Sequence, residues 1–171
     1  MNLQPTLFND QVILQPLKGE DFEALFKVAS DPLIWEQHPN RDRYKREVFE
    51  VFFKGAMESK GAFLIRDVKT NVVIGSSRYY PCDQEKEAIS IGYTFFSRNC
   101  WGKGINPSVK KLMLDHAFKF FPKVVFHVGA NNIRSQKAME KIGGIKIGEE
   151  AMSYYGEPEK LNFIYQISKP L

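Results

Sequence analysis

Residues 62–96 contain three β-type runs in succession, at 62–68, 72–80 and 88–96, separated only by short polar connections. Lys69, Thr70 and Asn71 join the first two as a hairpin, and Pro81 and Asp83 end the second. The third is rich in aromatic and β-branched residues. Three consecutive strands without an intervening helix build an antiparallel meander. This fits a mixed sheet better than a doubly wound one, in which strands and helices alternate.

The flanking segments complete the pattern. Residues 12–17 alternate weakly as a first strand, and Gly19 and Asp21 open a short helix with Phe22, Leu25, Phe26 and Ala29 at helical spacing. Asp31 and Pro32 end it. An irregular segment at 33–40 precedes a longer helix with Tyr44, Val48, Phe52 and Met57 on one stripe. After the meander the order becomes loop, helix, strand, helix. A helix at 106–121 carries Val109, Leu112, Met113, His116, Ala117 and Phe120 on one face, and Pro122 stops it. A strand at 124–128 is followed by a helix at 132–142, stopped by Gly143 and Gly144, and by strands at 145–152 and 161–168 around a turn-rich segment at 154–159. The expected class is α+β (mixed α/β).

A chain of 171 residues that is 43% hydrophobic supplies one core, so a single domain over residues 1–171 is expected. The net charge of +4 is mild, and the basic stretch at 41–46 is interrupted by Asp42 and Tyr44, which fits a solvated helix face; no nucleic-acid partner is expected. Residues 1–11 lack the basic start and apolar core of a signal peptide, and no apolar run approaches the ~20 residues a membrane span needs. The expectation is a cytoplasmic protein without membrane attachment, with Cys82 and Cys100 reduced. His38, His116 and His127 are scattered and neither cysteine has a companion at ligand spacing, so no metal is expected.

Chemistry concentrates at residues 98–107, between the aromatic strand and the amphipathic helix. Gly102 and Gly104 let the backbone turn tightly and approach a ligand, and their amides can converge with the positive end of the following helix. Asn106 and Pro107 mark the helix start as N-cap and first helical residue. Such a loop suits a pyrophosphate. It is not a Walker loop, because Lys103 is followed by Gly104 rather than Ser or Thr, and it lacks the third glycine of a dinucleotide fingerprint. In isolation, the glycine pair reads better as a plain strand-to-helix turn.

The surrounding residues make the loop specific. Trp101-Gly102-Lys103-Gly104, with Ile91-Gly92-Tyr93 upstream, Asn132-Ile133-Arg134-Ser135 and Glu140-Lys141-Ile142-Gly143 downstream, resembles the GNAT superfamily of acetyl-CoA-dependent N-acetyltransferases, in the branch of ribosomal-protein N-terminal acetyltransferases. The resemblance implies a central, mostly antiparallel twisted sheet of about six to seven strands flanked by about four helices. Some positions depart from the family pattern: Asn106 stands where Gly or Ala is usual, Pro107 removes a backbone donor, Ser90 and Ser108 replace glutamates, Met139 replaces the tyrosine that protonates the leaving thiolate, and Gly144 replaces Phe.

The resemblance implies acetyl-CoA as co-substrate, without metal, and direct attack of a primary amine on the thioester. It implies a CoA site of Phe95 and Phe96 backbone, Trp101, Gly102, Lys103, Gly104, Ile105, Asn106, Asn132 and Ser135. With Met139 unable to donate a proton, Ser135 is the first choice for the sulfur, although a hydroxyl in a first helical turn also bonds to backbone. Asn132 suits a helix N-cap as well as a ligand contact. Glu36 is the preferred proton relay. Trp35, Glu36, His38, Tyr79, Tyr93 and His127, with Tyr154, are candidates for the acceptor pocket. A catalytically impaired acyl-CoA-binding or regulatory protein is the alternative, and pairing of the last strands in a homodimer is left open.

Overall fold

The computed structural model describes residues 1–82, 86–153 and 156–171. The chain runs β1 (Leu7–Phe8), β2 (Val12–Pro16), α1 (Phe22–Ala29), α2 (Arg46–Ser59), β3 (Ala62–Asp67), β4 (Val73–Pro81), β5 (Ala88–Phe96), α3 (Ile105–Ala117), β6 (Lys123–Gly129), α4 (Ile133–Lys141), β7 (Ile145–Met152) and β8 (Lys160–Ser168). The eight strands form one sheet in the order β1-β2-β3-β4-β5-β6-β8-β7. Every neighbouring pair is antiparallel except β5 and β6, which are parallel. This is the expected mixed α/β fold with four helices. The additional strand, β1, is two residues long and exists through its pairing with Leu14 and Ile13.

Strand alternation sends successive side chains to opposite faces of the sheet and so builds two cores. Phe63 and Ile65 join Val12, Leu14, Val109, Met113 and Phe126 beneath α3. Ala62 and Leu64 join Leu25, Trp35, Phe49, Phe52 and Phe95 beneath α1 and α2. In α2 the buried face is Phe49, Phe52, Phe53 and Ala56; Val48 is only half-buried and Met57 is exposed. The expected stripe of Tyr44, Val48, Phe52 and Met57 is therefore displaced, because Phe22 and Phe26 of α1 take Phe49 as a ring partner, with centroids 5.6 and 5.5 Å apart. Likewise α3 ends at Ala117, four residues before the expected end, with Phe120 exposed, and its buried face includes Lys110 and Leu114.

Removing the Phe49 ring should cost about 3–5 kcal/mol, the penalty of a large-to-small change in a full core. Met57→Ala, at an exposed position, should change stability by less than about 0.5 kcal/mol. Urea unfolding of the two variants checks the assignment of the α2 face.

Candidate active site

The parallel pairing of β5 with β6 covers only Ala88–Lys123, Ile89–Val124 and Ser90–Val125. Beyond Ser90 the two strands part, and β5 from Ile91 to Phe96 faces β6 with no strand partner on that side. A β-bulge between Ser76 and Arg78 shifts the other edge of β5, and Tyr93 there takes a positive φ of 54°. The gap opens into a cleft of about 650 Å³, walled by β5, β6, the loop before α3 and the first turns of α4.

At one end, Gly102 and Gly104 adopt φ of 75° and 77°. A Cβ at either would meet nothing within 4 Å, so the left-handed backbone is the reason for glycine, and the space beside both is open. Gly104, not the expected Asn106, is the N-cap of α3, which puts Asn106 and Pro107 inside the first turn, where the amides carry the positive end of the helix. Pro107 lacks one of those donors. The Asn106 Oδ1, buried on the cleft wall, has no hydrogen-bond partner among the described residues. At the head of α4, Asn132 is buried and its Oδ1 accepts from the Ser135 N–H at 3.2 Å. Gln37 Oε1 accepts from the Arg134 N–H in the same turn. The Arg134 guanidinium donates to the Ile34 carbonyl and stacks 3.9 Å from the centroid of the Trp101 ring, tying α4, the segment before α2 and the glycine loop together.

A loop that presents helix-end amides beside a strand edge with unpaired backbone suits a phosphate-bearing ligand with an extended arm. The pattern that describes the acetyltransferase (GNAT) domain matches residues 11–145, most of the chain. The chain belongs to the GNAT acetyltransferase family. Solved structures of this family share its fold. A GCN5-related N-acetyltransferase from Brucella melitensis aligns with a TM-score of 0.77 at 17% identity, over 96% of this chain and 79% of its own. RimJ from Mycobacterium smegmatis, solved with CoA-disulfide, aligns with a TM-score of 0.70 at 16% identity, over 96% and 86%. The ribosomal-protein-S5-alanine acetyltransferase from Vibrio fischeri gives 0.69 at 16%, over 98% and 100%. GNAT enzymes use acetyl-CoA as co-substrate, and among the described residues no group of His, Cys, Asp and Glu could hold a metal. Nor is any described helix long and apolar enough to cross a membrane.

Within this GNAT fold, the cleft gathers Phe95, Phe96, Trp101, Gly102, Gly104, Ile105, Asn106, Asn132 and Ser135, together with Trp35, His38, Tyr93 and His127. The Phe96 carbonyl already accepts from the Trp101 indole N–H at 3.2 Å. Lys103 is exposed on the loop and lies outside the cleft lining. Glu36 also lies outside it, half exposed and 4.0 Å from Arg134; its neighbour Gln37 is the residue turned to α4. Tyr79, expected at the acceptor pocket, is instead fully buried beneath α3, its hydroxyl donating to the Met113 carbonyl at 2.5 Å. The next residue, Tyr80, takes the other face, where its hydroxyl lies 2.8 Å from His127 Nδ1. Tyr154 lies outside the described residues.

Two charged groups near the cleft carry no obvious sequence signature. Arg43, expected on a solvated face, is buried and pairs bidentately with Glu157 at 2.5 and 2.6 Å. Burial, then the Arg43 charge, holds His38 well below its ordinary pKa, so it is neutral at pH 7. Because its Nδ1 accepts from the Asn40 N–H, its own proton sits on Nε2, and the 3.3 Å approach of Arg43 Nη1 to that nitrogen is not a hydrogen bond. Lys110 is buried in the cleft floor, where Nζ donates to Thr94 Oγ1 at 2.6 Å and reaches Ser77 Oγ at 3.4 Å. Its one sequence signal is position: it shares helical spacing with Met113 and Ala117 on the buried face.

Burial lowers the Lys110 pKa from 10.5 to about 7. In that interval the unfolded chain binds more protons than the folded one, so this group makes stability rise with pH, by at most ~1.4 kcal/mol per pH unit. Lys110→Met should therefore be the more stable protein near pH 7, with the difference shrinking as pH is raised toward 10. Urea unfolding of both proteins across that range checks it.

Proposed function

We propose that the protein transfers the acetyl group of acetyl-CoA to a primary amine, borne by a small molecule or a protein N-terminus, within one domain spanning residues 1–171. The observation that carries this reading is the parting of β5 and β6 directly beside the glycine loop at the head of α3. The residues present fit the co-substrate: open space beside two positive-φ glycines at the head of α3 and an unpaired strand edge leading inward. When bound, acetyl-CoA supplies the activated acyl group.

The chain's own residues supply orientation and charge stabilisation. The backbone amides at 102–106 hold the pyrophosphate, with one donor fewer at Pro107. Asn132 keeps α4 in place through its cap, and Ser135 offers its hydroxyl to the pantetheine end. Backbone N–H groups of the unpaired β5 edge polarise the thioester carbonyl. Trp35, His38, Tyr93 and His127 form the wall for the incoming amine, the neutral His38 adding no like charge against an ammonium. Glu36, half exposed beside Arg134, reaches that amine only through water. One observation favours a second reading, an acyl-CoA-binding protein without turnover: the cleft wall carries the thioether of Met139, which cannot donate a proton.

Acetyl-CoA at about 100 times its Kd should stabilise the native protein by ~2.7 kcal/mol. Gly104→Trp, which fills the open space beside the loop, should fold and lose that gain. Thermal unfolding measures both. Stabilisation with thiol release from at least one amine in a primary-amine panel supports the transferase; stabilisation without release supports the second reading; no stabilisation of the unaltered protein overturns both.

A further inference from the structure

The cleft floor is built around a lysine with no counter-ion. Lys110 enters from α3, and its Nζ lies under the gap between the parted strands: it donates to Thr94 on the unpaired stretch of β5 and sits 5.7 Å from the ring centroid of Phe126 on β6. The Thr94 and Ser77 hydroxyls are 2.8 Å apart and share the ammonium. An ammonium has three hydrogens, and these hydroxyls account for two. No carboxylate pairs with Lys110 among the described residues. The side chains around Nζ are Ser77 from β4, Thr94 from β5 and Phe126 from β6, none of them charged.

An apolar side chain would fill this space at lower cost than a buried, unpaired ammonium. We propose that Lys110 is the acid that protonates the CoA sulfur as the acyl group leaves. The proposal rests on the acetyl-CoA reading above. As the amine bonds to the carbonyl carbon, the C–S bond breaks and its electron pair stays on sulfur; Nζ gives its proton to that sulfur and becomes a neutral amine. The proton shed by the acceptor nitrogen returns through water to recharge it. An acid titrating near neutral pH hands its proton downhill to a thiolate, whose conjugate acid is weaker, near pH 8.5 for an ordinary thiol. The role left open by Met139 thus passes from α4 to α3, and Ser135 serves as a hydrogen-bond donor only.

The test uses the intact protein labelled with ¹³C at lysine Cε, with the Lys110 resonance assigned by its absence in Lys110→Met. CoA and desulfo-CoA, which lacks only the sulfur, are the probes. Lys110 should titrate with a different midpoint in the CoA complex than in the desulfo-CoA complex. Identical midpoints overturn the proposal. If neither probe perturbs the spectrum or stabilises the protein, the acetyl-CoA reading itself has failed, which separates the two. With an amine that turns over, Lys110→Met should lose about a hundredfold to ten-thousandfold in kcat, keep its KM for acetyl-CoA within a few-fold and lose the alkaline limb of the wild-type pH profile. An unchanged kcat with an unchanged limb overturns it as well.

Discussion

Everything at the cleft depends on a pair of parallel strands held together for three residues and then released. β5 is pinned along its other edge by β4, and β6 by β8 over seven register positions, so each strand keeps its shape after the pairing between them ends. A strand edge left open in water normally invites aggregation. Here the opening is internal to the sheet and flanked by helices on both faces. What it offers is a row of peptide groups whose directions are fixed before any ligand arrives. Preorganised donors of that kind need no rearrangement as charge develops on a reacting carbonyl.

The segments that meet around the opening are tied by polar contacts as well as by the cores. Arg134 is the clearest case: its backbone is bonded by Gln37, its guanidinium by the Ile34 carbonyl, and its flat face lies on Trp101. A cation against an indole gains most where water is partly excluded. One side chain thereby sets the distance between α4 and the glycine loop. Lysine at this position would keep the charge and lose the planar stacking.

Much of this was legible in the chain itself because certain conformations have residue signatures. Turn residues bracketed β3, β4 and β5 closely, Asn132 marked the start of α4, and two glycines marked the left-handed backbone ahead of α3. Other features depend on partners that no local pattern names. In α2, Phe49, Phe52 and Phe53 permit more than one apolar stripe, and the rings of α1 select among them. In the segment before α2, a shift of one residue decides that Gln37 rather than Glu36 lines the cleft, although both meet Arg134. β1 exists only by pairing. Lys110 was invisible because a lysine on a helix ordinarily extends its stem over apolar surface and leaves its ammonium in water; only the packed sheet shows that this one has no route out.

The Arg43–Glu157 pair joins residues 114 positions apart, linking the segment before α2 to the turn between β7 and β8. Arg43 lines the same end of the cleft as Trp35 and His38, whereas the residues that line the cleft from the glycine loop, α3 and the parted strands all precede residue 142. The final hairpin therefore serves both ends of the cleft in different ways: β8 pairs with β6 along its whole length, and the turn before it delivers the carboxylate that meets Arg43. The last hairpin thus both completes the sheet and neutralises a buried cation on the cleft wall.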